Sequence, residues 1–287
     1  MRKMRRPIKA LRSGRLGLVL HMSVAALLLL AASVAGRADE APGCQNLPTK
    51  QTVDTKWPIN IGVLAPQLIR YRCTDYMKDF AAVTDEAHAW IAQRAPQVEN
   101  AAVVFDIDET ALSNWARIYH NQFGYVAIGP CKLSDPDAFC GDSAWGLSLR
   151  ATALQPTLEL FRFLKTVKDK YGKRIAVFFI TGRYESAAER RATQRNLRKV
   201  GFDSWDGLSL RPQSTKSEDV AAFKSDVRAA IERRKEHYTI IANLGDQYSD
   251  LIGNATGEHA ERCFKLPNPF YFIGPPLPDG GLKCLAR

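Results

Sequence analysis

No Cys-x-x-Cys pair and no paired Cys/His spacing occurs in the 287 residues, which argues against a zinc site. Histidine is scarce. His21, His88, His120, His237 and His259 are scattered, and none has a metal-like partner. A Gly-x-x-x-x-Gly-Lys-Ser/Thr loop is missing too, so Asp85-Glu86-Ala87-His88, which spells a helicase motif, has no triphosphate cradle to serve. Acidic residues are absent from the first 38 positions, where eight of the 40 lysines and arginines lie; beyond them 32 basic residues face 30 acidic ones. The formal charge of +10 therefore resides almost wholly in the N-terminus and gives no reason to expect a nucleic-acid partner for the rest of the chain. Internal repeats and long low-complexity segments are lacking, and only one apolar run is long enough to span a bilayer.

That run, 16–36, follows basic residues up to Arg15 and closes on small ones, Ser33-Val34-Ala35 and Gly36-Arg37-Ala38. Basic, apolar, small is the order of a secretory signal. Residues 1–38 are expected to be removed, leaving 39–287 as a periplasmic or secreted domain with no stable membrane association; the alternative is an uncleaved anchor. Cys44, Cys73, Cys131, Cys140, Cys263 and Cys284 all follow the signal. An even count in an exported chain favours disulfides. Cys131 with Cys140 would staple a local loop, and Cys263 with Cys284 would tie down the tail.

Ile69, Cys73, Tyr76, Phe80, Val83, Ala87 and Trp90 recur at spacings of four and three, which predicts one amphipathic helix ended by Pro96. The apolar run from Ala101 to Phe105 predicts a strand that delivers Asp106 and Asp108 at its C-terminal end. Residues 111–155 are irregular, rich in Gly, Pro and aromatics, and read as a small inserted cap. Alternation follows: a helix opened by Pro156, a continuous apolar strand over 175–180 capped by Thr181-Gly182-Arg183, and a helix over 185–200. A short strand over 207–210, a helix over 217–234 and a strand over 238–242 that closes in Asn243-Leu244-Gly245-Asp246 complete it. The order predicts an α/β fold, a doubly wound and mostly parallel sheet. Ligands in such folds bind outside the C-terminal strand ends, and Asp106, Asp108, Thr181 and Asp246 are all placed there.

Two aspartates one residue apart can divide attack and proton transfer between them, since a carboxylate is a competent nucleophile towards phosphorus. Crowded carboxylates repel unless a cation joins them. Mg²⁺ suits oxygen ligands of this kind, with Asp246 and Asp250 extending the acidic cradle. Charge on a phosphoryl group needs donors. Thr181 with the backbone N–H groups beside it, Gly182 included, and a lysine meet that need. Lys224 is the candidate, with Lys216 nearby. Arg183 reads as an ion-pair partner rather than a ligand.

Phe105-Asp106-Ile107-Asp108-Glu109-Thr110-Ala111-Leu112-Ser113-Asn114 resembles motif I of the haloacid dehalogenase (HAD) superfamily. More narrowly it resembles subfamily IIIB, the acid phosphatases that include plant acid phosphatases, vegetative storage proteins and bacterial surface acid phosphatases. Phe179-Ile180-Thr181-Gly182-Arg183, then Phe223-Lys224-Ser225 with Arg228, then the run from Asn243 to Leu251, are similar to motifs II, III and IV in order. Phe264-Lys265-Leu266-Pro267-Asn268-Pro269-Phe270-Tyr271 resembles the C-terminal signature.

The resemblance implies an exported, Mg²⁺-dependent acid phosphatase that hydrolyses phosphate monoesters, nucleoside 5′-monophosphates among them, through an aspartyl-phosphate. It implies Asp106 as nucleophile and metal ligand, and Asp108 as general acid then base, reaching the metal through its backbone carbonyl. Thr181 would hold phosphate and Lys224 would neutralise the intermediate. Asp246 would ligate the metal, and Asp250 would orient Lys224 or a metal-bound water. Trp145 and Tyr271 are the aromatic candidates for substrate contact. A non-catalytic storage protein and a phosphotransferase are the alternatives, and a homo-oligomer is left open.

Overall fold

The computed structural model describes residues 42, 44, 60–254, 257–274 and 281–285. The expected signal, 1–38, lies outside them. Strand β1 (Ala101–Phe105) is buried at every position, as a strand covered on both faces must be. Its alternate side chains divide between two cores. Val103 and Phe105 join Val177, Phe179, Tyr76, Phe80 and Phe161 on one face, and Ala102 and Val104 join Ala176, Phe178, Ile180 and Ile231 on the other.

Helices α1 (Ile61–Thr74) and α2 (Tyr76–Arg94) precede β1. The apolar spacing from Ile69 to Trp90 predicts a single helix there, but the chain breaks at Asp75, which ends one helix and starts the next. Thr74 turns its hydroxyl back to the Arg70 carbonyl at 2.9 Å, a side-chain bond that competes with the helix ladder. The apolar stripe continues across the break, so periodicity alone cannot reveal it.

After β1 the chain enters the irregular insertion. It opens with β2 (Leu112–Ser113) and closes with β3 (Thr152–Ala153), paired antiparallel as Leu112 with Ala153 and Ser113 with Thr152. Between them lie two short helices, α3 (Trp115–His120) and α4 (Asp142–Leu147). The main fold resumes with α5 (Gln155–Leu164), β4 (Ala176–Tyr184), α6 (Ala187–Lys199), β5 (Gly207–Arg211), α7 (Val220–Glu232), β6 (Thr239–Gly245), the single turn α8 (Tyr248–Leu251) and β7 (Cys263–Lys265).

The five-stranded sheet runs β5-β4-β1-β6-β7, with every neighbouring pair parallel. This is the α/β fold the alternation predicts, with β7 added. β1 sits between β4 and β6, so their three C-terminal ends open at one place. Disulfides join Cys44 to Cys73, Cys131 to Cys140 and Cys263 to Cys284, which fits an oxidising compartment. Among the described residues no helix is long and apolar enough to cross a membrane.

Candidate active site

The end of β1 is fixed before the site begins. The Asp106 N–H donates to the Leu244 carbonyl of β6 at 2.9 Å, and the chain then turns tightly, with the Leu112 N–H returning to the Ile107 carbonyl at 2.7 Å. Thr157 of α5 pins this turn by donating to the Thr110 carbonyl at 2.6 Å. Asp106 is thereby held, buried, beside the end of β6.

Lys224 of α7 reaches in from below. Its ammonium lies 2.5 Å from Asp106 Oδ1 and 2.6 Å from Asp250 Oδ1, and all three groups are buried. Burial works against a charged lysine, but Asp106 and Asp250 more than offset it and hold the ammonium above its ordinary range. Asp250 is held from several sides. Its Oδ2 accepts the Gln247 N–H at 2.8 Å, closing a capping box on α8. Arg228, one turn beyond Lys224 on the same face of α7, donates to the carbonyls of Asp250 and Ile252 at 2.6 Å and of Glu258 at 2.8 Å. One helix thus grips residue 250 by carboxylate and carbonyl together.

Gly245 makes room for this grip. A Cβ at that position would stand 2.3 Å from Asp250 Cβ. Gly245→Ala is therefore expected to displace Asp250 and to destabilise the fold by about 1–3 kcal/mol, in the range of overpacked cores. The midpoint of urea unfolding measures this, and an unchanged midpoint would refute the packing argument.

Asp246 completes the acidic group. Thr110 donates to its Oδ1 at 3.2 Å, and Gln247 and Asn268 donate to its Oδ2 at 2.6 and 2.7 Å. Carboxylate oxygens of Asp106, Asp246 and Asp250 all lie within 4.8 Å of one another. Three buried carboxylates face one ammonium, an imbalance that burial makes costly. Burial first, and Asp250 next, raise Asp246 to about 7. Burial likewise raises Asp106, with Lys224 pulling the other way. An oxygen-only donor set with surplus negative charge fits a hard divalent cation.

Asp108 has a different environment. Arg183 clamps it with both Nε and Nη2, the latter 2.7 Å from Oδ1, and Asn114 Nδ2 lies 2.9 Å from the same oxygen. Burial would raise this acid, but Arg183 and Asn114 overcome it and hold it down to about 2. Glu109, at φ 54 in the left-handed region, turns inward and is buried. It accepts from Asn114 N at 2.5 Å, from Asn114 Nδ2 at 2.9 Å and from the Tyr271 hydroxyl at 2.9 Å. Burial still lifts it to about 7.

Of the residues singled out by sequence, Asp106, Lys224, Asp246 and Asp250 come together. Asp108 and Thr181 stand beside each other, with Thr181 Oγ1 3.4 Å from Asp108 Oδ2. Gly182 lies next to Thr181 with its carbonyl accepting from Arg211 at 3.0 Å. Lys216 is exposed and pairs with Glu218. Trp145 is buried, with its indole N–H 2.7 Å from Asn114 Oδ1 and Arg150 over its ring, so it offers no free face to a ligand. Tyr271 is half-buried and spends its hydroxyl on Glu109. Glu109, Asn114, Gln247 and Asn268 also belong to the site, although their residue types alone do not mark them. Glu109, Asn114 and Gln247 sit inside motifs I and IV and Asn268 between two prolines, and those positions are the signal the sequence carries for them.

A profile of the HAD superfamily, subfamily IIIB (acid phosphatase), matches residues 37–274. The chain belongs to this family. Acid phosphatase 1 of Solanum lycopersicum is 30% identical over 244 residues, covering 79% of this chain and 87% of that one. Vegetative storage protein 1 of Arabidopsis thaliana is 32% identical over 200 residues, 69% of this chain and 65% of that one. A Bacillus anthracis class C acid phosphatase crystallised with tungstate shares the fold, with a TM-score of 0.51 at 16% identity over 72% of this chain and 86% of that one. As a subfamily IIIB acid phosphatase the chain is a phosphoric monoester hydrolase whose substrates are small phosphate esters, and its buried aspartate cluster is suited to the metal that HAD acid phosphatases use.

Proposed function

We propose that this is an exported, Mg²⁺-dependent acid phosphatase in which Asp106 becomes transiently phosphorylated. The observation that carries the reading is the buried contact of Asp106 with Lys224, set within a cluster of carboxylates able to share one cation. Asp106 Oδ attacks phosphorus, the ester P–O bond breaks, and the departing alkoxide takes the proton of Asp108. Water then attacks phosphorus and gives its proton to Asp108, and phosphate leaves with Asp106 restored. Thr181 and the N–H groups beside it, including that of Gly182, hold the phosphoryl oxygens, and Lys224 balances their charge. Asp106, Asp246 and Asp250, with the Asp108 carbonyl, would hold Mg²⁺, which supplies further positive charge to those oxygens. Asp108 is ion-paired to Arg183 in the resting site. It can carry a proton only once the incoming phosphate competes for that guanidinium.

The order of the N-terminal segment and the disulfides support export to the periplasm or beyond. Nucleoside 5′-monophosphates are the substrate class we favour. A storage role is the second reading, favoured by the likeness to a vegetative storage protein, but the retained Asp106, Asp108, Lys224 and Asp246 speak for turnover. The purified mature chain is expected to hydrolyse a panel of monoesters in mildly acidic buffer and to lose that activity with a chelator. Full activity in excess chelator would contradict the metal assignment, and no turnover with Mg²⁺ present would favour storage.

A further inference from the structure

We propose that Asn114 is a positioning residue for Asp108, and that Trp145 sets its orientation. The inference rests on the phosphatase reading of the same pocket. An amide can lie either way round, but here the surroundings leave one choice. The indole N–H of Trp145 is a donor with no acceptor capacity, and it stands 2.7 Å from Asn114 Oδ1. The opposite end of the amide faces two carboxylates, Asp108 Oδ1 and Glu109 Oε2, each at 2.9 Å. Reversing the amide would set donor against donor and carbonyl against carboxylate. The main chain of Asn114 is anchored as well, since its N–H donates to Glu109 Oε1 at 2.5 Å. Asn114, Trp145 and Glu109 are all buried, so water is not available to replace a lost bond and the orientation is enforced.

The consequence falls on Asp108. Its Oδ1 accepts from Asn114 and from Arg183, whereas Oδ2 has Arg183 and, at 3.4 Å, the Thr181 hydroxyl. When an arriving phosphate draws Arg183 away, Asn114 still holds Oδ1. Oδ2 is left as the atom that carries the proton to the departing oxygen. Trp145 and Tyr271 both act on this carboxylate from a distance: Trp145 through Asn114, and Tyr271 through Glu109, which shares the same amide.

The test compares two esters using the full mature chain with Mg²⁺. A p-nitrophenyl phosphate leaves without needing a proton, and a simple alkyl phosphate requires one. Asn114→Ala is expected to lower kcat/KM for the alkyl ester about 30- to 100-fold and for the aryl ester no more than about threefold, as for a general acid that has lost its aim. Trp145→Phe removes the N–H and keeps a ring, and is expected to show the same selectivity at about three- to tenfold. Circular dichroism monitors folding, and if Asn114→Ala does not fold, Trp145→Phe decides. Equal losses on both esters, or none on either, would overturn the proposal. A wild-type chain inactive on both esters would overturn the phosphatase reading instead.

Discussion

Asp106→Asn is expected to lower turnover of p-nitrophenyl phosphate by at least about 10³-fold, since it removes the attacking carboxylate. The fold should survive. Asparagine has the same shape, the Asp106 N–H stays bonded to the Leu244 carbonyl, and Lys224 keeps Asp250 at 2.6 Å. One negative charge is also removed from a buried cluster of three carboxylates. The melting temperature is therefore expected to stay within about 4 °C of the wild type or to rise. Calorimetry beside steady-state kinetics separates the two effects. A variant retaining more than about a tenth of the activity would place the nucleophile elsewhere.

Lys224→Met is expected to damage activity and stability together. The ammonium bridges two buried carboxylates, and removing one partner of such a group leaves charge uncompensated, at a cost of about 3–5 kcal/mol. The loss should depend on pH in a defined direction. Burial already raises Asp106, and Lys224 is the group pulling it down. Without Lys224 its folded pKa rises further above the unfolded value. The folded state is then favoured while the acid is protonated and loses that advantage as pH climbs through the raised pKa. Urea midpoints should show the variant closer to wild type at about pH 5 than at about pH 8. A uniform deficit would mean that protonation of Asp106 does not relieve the uncompensated charge over this range.

The parts of this molecule that were legible in its sequence are those whose cause is local. The apolar run at Ala101–Phe105 is buried at every position because both sheet faces are covered, and that condition writes itself into five consecutive residues. The continuous run over 175–180 is legible for the same reason. β7 was not, because a strand of three residues, Cys263–Lys265, is too short to display a period. The pairing of Leu112–Ser113 with Thr152–Ala153 was hidden likewise. At the site, residue types were readable from the motifs, and the resemblance also implied Asp250 beside Lys224, which lie 2.6 Å apart, but the partner of Arg183 was not readable. Arg183 reads as an ion-pair residue, yet nothing local says that Asp108, 75 positions away, is the partner. Trp145 and Tyr271 were expected to offer rings to a substrate. The structure uses their polar tips, and hydrogen-bond direction leaves no trace in composition.

The small ribbon of β2 and β3 has an evolutionary consequence. It fastens the excursion between Ser113 and Thr152 at its neck, so the chain leaves the end of β1 and enters α5 at neighbouring points. Lengthening, shortening or rewriting most of that excursion leaves the ends of β1 and β4 where they were. Asn114 and Trp145 are the exceptions, because both lie within the excursion and Asn114, oriented by Trp145, bonds Asp108. A lineage could thus change what its members admit by editing one contiguous stretch of gene, provided that the amide of Asn114 and the indole that orients it, or substitutes for them, are preserved.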